Sequence, residues 1–85
     1  SHAQLLQGLT VLLVDDSDDS RALTAFMLRK FGAGVGEAAS GKEAVEALKK
    51  SLPDALITDI EMPGMDGYAL LHEARRIADE RGARL

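Results

Sequence analysis

PDALITDIEMPGMDG, residues 53–67, carries a carboxylate out of a short apolar run and into a forced turn. Ala55 to Thr58 is a short apolar run with the length of a strand, and Asp59 follows it directly. Pro63, Gly64 and Gly67 then bend the chain, so Asp59 stands at the exit of a strand where a loop opens. Charged residues are costly to retain inside apolar runs, and a strand that ends on one marks a candidate site.

Downstream of this stretch the spacing predicts a helix that starts near Asp66-Gly67, buries Tyr68, Leu71, Ala74 and Ile77 or Ala78, and stops at Gly82. Ala83-Arg84-Leu85 reads as the opening of another strand. Upstream, Ser40 and Glu43 form an S-x-x-E capping box ahead of a helix whose apolar stripe is Ala44, Val45, Ala47 and Leu48, and Pro53 lies beyond its end. Val35, between Gly34 and Gly36, is the strand former of a short, weak segment suited to a sheet edge. Leu9 to Val14 is apolar almost throughout, as in a strand covered on both faces, and it ends at Asp15-Asp16. Ser17 is an N-cap signal with Asp18 and Asp19 in the first helical turn. The helix it opens, over about 18–31, carries Ala22, Leu23, Phe26, Met27 and Phe31 as its apolar stripe and stops at Gly32. The order is βαβαβα with short connections, which predicts an α/β fold with right-handed crossovers and a parallel sheet.

Composition narrows the function classes. The 85 residues amount to one small domain or part of one, and with 46% hydrophobic but only 4% aromatic residues the core must come from aliphatic side chains. The absence of cysteine removes disulfides, thiol chemistry and Cys-based zinc sites. No apolar run approaches the ~20 residues of a membrane span and no signal peptide is visible, so a cytoplasmic location is expected. A net charge of −4 without a basic cluster argues against nucleic-acid contact by this segment. His72 has the neighbours of a solvated helix residue, and Arg75, Arg76 and Arg81 alternate with Glu73, Asp79 and Glu80 as on an exposed salt-bridged face. Ser1-His2 reads as a cloning remnant within a leader over 1–8.

In open α/β sheets ligands bind beyond the carboxyl ends of the strands. If the first and third strands are neighbours, Asp15, Asp16 and Asp59 converge there. Three like charges need a counter-charge, and a hard divalent cation such as magnesium takes carboxylate oxygens, water and phosphate oxygens. With a metal screening the charge, a carboxylate can attack phosphorus and form an acyl phosphate, and Asp59, standing alone, is the candidate nucleophile. Taken singly, Asp15-Asp16 and Asp59 also suit plain structural roles at a helix start and a strand end.

Together the segments resemble the receiver domain of two-component response regulators and hybrid sensor kinases, the CheY-like (flavodoxin-like) three-layer family. LLVDDSDDSR at 12–21 is similar to that family's first strand and acidic pair, LITDIEMPGMDGYALL at 56–71 to its phosphorylation strand, loop and third helix, and SGKEAVEAL at 40–48 to its second helix. The resemblance implies strand order 2-1-3 and a phosphoryl group accepted by Asp59 from a histidine kinase or phosphotransfer domain. It implies Mg2+ bound directly by Asp16, largely through water by Asp15, and also by Asp59 and the backbone carbonyl of Glu61. The family has about five strands and five helices in the order 2-1-3-4-5. By that measure residues 9–85 read as an incomplete receiver, lacking the hydroxyl residue after strand four and the lysine after strand five. An uncovered third-strand edge then implies self-association or a longer parent chain, such as a hybrid histidine kinase.

Two further readings compete. A receiver fold can serve as an interaction module without phosphorylation. Asp16-Ser17-Asp18 also fits the D-x-D start of haloacid-dehalogenase-like phosphatases with Asp16 as nucleophile, although that leaves Asp59 and MPGMDG without a role. A calcium loop from Asp15, Ser17 and Asp19 fails because Phe26 stands where a bidentate Glu is required.

Overall fold

Leu12 and Val14 point to one side of the first strand and Val11 and Leu13 to the other, and all four are buried, so the strand has to lie between two layers. The computed structural model describes residues 5–60 and 62–83. The leader's Ser1-His2, Glu61 and the Arg84-Leu85 part of the expected fourth strand lie outside the described residues. The elements are β1 (Thr10–Val14), α1 (Asp18–Lys30), β2 (Gly34–Ala38), α2 (Gly41–Lys50), β3 (Ala55–Thr58) and α3 (Gly67–Glu80). All pairings are parallel and the order is β2-β1-β3, with Leu13 facing Glu37 on one side and Ile57 on the other. The expected α/β architecture, strand order and edge position of β2 are therefore present. At the amino ends, Asp54 ties β3 to β1: its Oδ2 accepts from the Thr10 N–H at 2.8 Å, and its own N–H donates to Thr10 O at 2.8 Å.

α2 and α3 share one face of the sheet. Leu48, Leu70, Ala74 and Ile77 close over Leu12, Val14 and Ala38, with Met62 from the β3–α3 loop completing the cluster. Arg81 locks the two helices together by donating to the Leu48 carbonyl at 3.1 Å and to the Lys49 carbonyl, which satisfies C-terminal groups of α2 that have no partner within the helix. Of the expected α3 stripe, Ala74, Ile77 and Ala78 are buried, but Leu70 is fully buried and Tyr68 is 68% exposed. Asp66 fixes the helix start, its Oδ1 accepting from the Ala69 N–H at 2.8 Å, and from that start positions 70, 74 and 77 fall on the sheet.

α1 lies over β2 and β1 on the opposite face, and there too the expected stripe is displaced. Ala25 is buried, whereas Leu23, Phe26 and Met27 are 63%, 65% and 52% exposed. A small buried residue lets the helix approach the sheet, and the large side chains of Leu23, Phe26 and Met27 stay largely in solvent. The helix limits are those the capping signals indicate: Ser17 Oγ accepts from the Ser20 N–H, Ser40 Oγ accepts from the Glu43 N–H at 3.1 Å, and Gly32 and Gly82 end α1 and α3 with φ of 99° and 64°.

On the outer face of α3, Arg76 donates to Glu73 and Glu80. The hydrogen bond from Arg76 pulls the Glu73 carboxyl below its ordinary value. A lowered folded pKa means stabilisation that is present above the unfolded pKa and lost as pH falls through the folded one. Glu73→Gln is thus expected to lower the thermal midpoint slightly at neutral pH, with the difference from wild type fading below about pH 4.5. Melting curves at the two pH values check it.

Candidate metal centre

β1 and β3 run side by side in the same direction, so the residues that follow them emerge together. The Asp59 N–H donates to the Val14 carbonyl at 3.0 Å and the Asp15 N–H to the Ala38 carbonyl at 3.1 Å, which extends the sheet pairing one residue past each strand. Asp15, Asp16 and Asp59 consequently meet. One carboxylate oxygen from each lies within 4.8 Å of the others, with Asp15 half-buried and Asp16 and Asp59 exposed. This all-oxygen donor set suits a hard cation such as magnesium. The residues present fit such an ion.

The backbone around the cluster is tied down from several directions. Asp15 Oδ1 accepts from the Ser17 N–H at 2.9 Å, which turns the chain into α1. Arg21 reaches back from that helix, donating from Nη1 to the Asp15 carbonyl at 2.8 Å and from Nη2 to Asp18 at 2.7 Å, and it pairs with Glu37 at 3.3 Å. The Asp18 hydrogen bond, with Glu37 adding to it, raises the Arg21 guanidinium above its ordinary value. Because α1 begins at Asp18, Asp19 lies inside a helix and no calcium-type loop forms over Asp15–Asp19.

On the β3 side, the Thr58 hydroxyl donates to the Asp59 carbonyl at 3.0 Å, Met62 anchors the loop in the core, and the Gly67 N–H donates to the Ile60 carbonyl at 2.8 Å. Met65 rests against the start of α2, where a Cβ on Gly41 would come within 2.6 Å of Met65 Cβ. Glu61, expected to contribute a carbonyl, lies outside the described residues. Arg21, Met62 and Gly41 escaped the sequence reading. Arg21 follows Asp18 by one helical turn, which was the available signal for its pairing, whereas the Met62 and Gly41 contacts join distant segments and leave no local trace.

The acidic cluster is open rather than recessed. A cleft of about 380 Å³ runs between Gly34, Gly36 and Leu52 at the amino end of the sheet, and another of about 500 Å³ lies beside Phe26 and Arg29. Neither is lined by Asp15, Asp16 or Asp59.

Comparison with known proteins settles the family. The pattern of the response regulator receiver domain matches residues 11–81. The chain belongs to that family. This receiver is 42% identical over 74 residues to an uncharacterized 14.6 kDa protein of Leptolyngbya boryana, covering 87% of this chain and 56% of that one. It is 44% identical over 68 residues to the sensor histidine kinase CheAY of Helicobacter pylori, covering 78% of this chain and 8% of the kinase. It therefore spans only part of the length of these relatives. Among solved structures, the receiver domain of the histidine kinase CKI1 from Arabidopsis thaliana, complexed with Mg2+ and BeF3−, superposes with a TM-score of 0.89 at 31% identity, over 98% of this chain and 65% of that one. The receiver is accordingly a domain of two-component signalling, its family includes receivers of hybrid histidine kinases, and its aspartate cluster is consistent with a phosphoacceptor site. Among the described residues no helix is long and apolar enough to cross a membrane.

Proposed function

We propose that this receiver accepts a phosphoryl group on Asp59 from a phosphohistidine of a histidine kinase or phosphotransfer domain. The observation that carries the proposal is the meeting of Asp15, Asp16 and Asp59 beyond the adjacent carboxyl ends of β1 and β3. An Asp59 carboxylate oxygen attacks phosphorus, the P–N bond to the donor imidazole breaks, the imidazole leaves with the electron pair and takes up a proton, and an acyl phosphate remains. Asp16 and Asp59 would hold Mg2+ directly, Asp15 through water, and Glu61 through its backbone carbonyl. The bound ion would offset negative charge on the carboxylates and phosphoryl oxygens. β1 holds the Asp59 N–H, the start of α3 holds the adjacent Ile60 carbonyl, and Arg21 holds the Asp15 carbonyl.

An open cluster favours a protein donor over a small enclosed substrate, because Asp16 and Asp59 can meet a histidine presented on another surface. The pairing-competent outer edge of β3, with Ile57 41% exposed, supports self-association as a second partner mode. Nothing in the charge distribution supports nucleic-acid contact, and the domain is assigned to the cytoplasm, where histidine kinases present their phosphohistidines. With the chain in the receiver family, the dehalogenase-like reading of Asp16 is set aside.

Acetyl phosphate with magnesium supplies the test. One acid-labile phosphoryl group per chain is expected, mapped to Asp59 by mass spectrometry of the borohydride-reduced peptide. A chain that binds magnesium at millimolar concentration but takes no label would leave the interaction-module reading in its place.

A further inference from the structure

Gly67 opens α3 at a position where most residues serve a helix better than glycine, and its φ lies outside the left-handed region. Neither the helix nor the turn calls for glycine there. Space does. A Cβ at Gly67 would stand 2.6 Å from the Asp59 carbonyl oxygen, 2.8 Å from Ile60 Cα and 3.2 Å from the Asp59 carbonyl carbon. All three are backbone atoms, so no side-chain rotation relieves the contact.

The chain is held on either side of the Asp59 carbonyl. The Asp59 N–H donates to Val14 O at 3.0 Å on β1, and the carbonyl of the following residue, Ile60, accepts from the Gly67 N–H at 2.8 Å. α3 itself is pinned by Leu70, Ala74 and Ile77 in the core and by Arg81 on α2. A methyl group wedged between a pinned helix and a short loop displaces the loop, and the displaced peptide is the one that carries the candidate phosphoacceptor. From this we infer that Gly67 is a positioning residue for Asp59: the missing side chain sets how closely α3 holds the Asp59 backbone, and hence where its carboxylate stands relative to Asp15 and Asp16. The inference rests on the proposed role of Asp59 for its effect on phosphorylation, but not for its effect on geometry.

Gly67→Ala is the variant, and Gly82→Ala is its control, because Gly82 has φ of 64° with no atom within 4 Å of a built Cβ and so adds strain remote from Asp59. Misplacement of a reacting group by about 1 Å can cost ~100-fold in rate. Gly67→Ala is expected to slow acetyl phosphate labelling by about ten- to a hundredfold and to shift the Asp59 and Ile60 amide resonances of the metal-free protein. Gly82→Ala is expected to lower the melting temperature while labelling at the wild-type rate. Labelling of Gly67→Ala at the rate of a Gly82→Ala chain of equal stability would overturn the inference, as would unchanged Asp59 and Ile60 resonances. Should wild type take no label, the phosphoacceptor reading fails, and the resonance shifts alone still decide the role of Gly67. If Gly67→Ala needs trimethylamine N-oxide to fold, the same defects are expected in the refolded chain, and a chain that stays unfolded there would make Gly67 a folding residue and overturn the assignment.

Discussion

Asp59→Asn is expected to take up no acid-labile phosphoryl label from acetyl phosphate and magnesium, a fall of at least about a hundredfold, with the circular dichroism spectrum unchanged. An amide has no carboxylate oxygen to attack phosphorus, yet the backbone bond from residue 59 to Val14 O that shapes the strand end survives the substitution. Persistent label on the variant would place the phosphoryl group on another residue. Asp16→Asn provides the matching arm on the metal. It should weaken magnesium binding about tenfold or more, measured by calorimetry, and slow labelling in proportion. In the metal-free protein its effect should have the opposite sign. Two unit charges 4.8 Å apart repel by about 1 kcal/mol in a water-like medium, so neutralising exposed Asp16 raises the melting temperature by up to a few degrees. Loss of a favourable charge just ahead of Ser17 at the start of α1 offsets part of that gain. A metal-free Asp16→Asn chain that melts well below wild type would show Asp16 to be structural rather than a ligand.

Much of this arrangement is visible in the residues themselves, because the decisive signals are local. Asp15-Asp16 and Asp59 interrupt apolar strands, Ser17 and Ser40 announce helix starts, and Gly32 and Gly82 end helices with the positive φ that they tolerate. Short connections then leave a parallel sheet as the only economical layout. The faces of α1 and α3 were harder to read for a physical reason. Ala22, Leu23, Ala25, Phe26, Met27 and Leu28 wrap too much of α1 for periodicity to select one side. In the fold it is Ala25 that is buried, and Arg21 and Arg29 donate to the Asp15 and Val35 carbonyls. On α3, Tyr68 and Leu71 compete with Leu70, and the helix start fixed by Asp66 brings Leu70 onto the sheet. The close approach of Gly67 to Asp59 depends on a group that is missing, which hydrophobic patterning does not register.

The same choice of faces makes unequal demands on two large apolar side chains. Leu48→Ala is expected to cost about 2–5 kcal/mol, because Leu48 is fully buried between α2, α3 and the sheet and its removal leaves a cavity. A domain of this length has about 4–13 kcal/mol of total stability at ordinary values per residue, so the loss brings it close to unfolding. Phe26→Ala removes a larger side chain, yet Phe26 is 65% exposed on α1, and the expected change is within about 0.5 kcal/mol. Size alone ranks the two substitutions one way and burial ranks them the other. Urea unfolding of both variants decides between the rankings: a Phe26→Ala loss as large as that of Leu48→Ala would mean that the outer face of α1 is covered in solution, by a second copy or by further chain. In the first case the loss would grow with protein concentration, and in the second it would not.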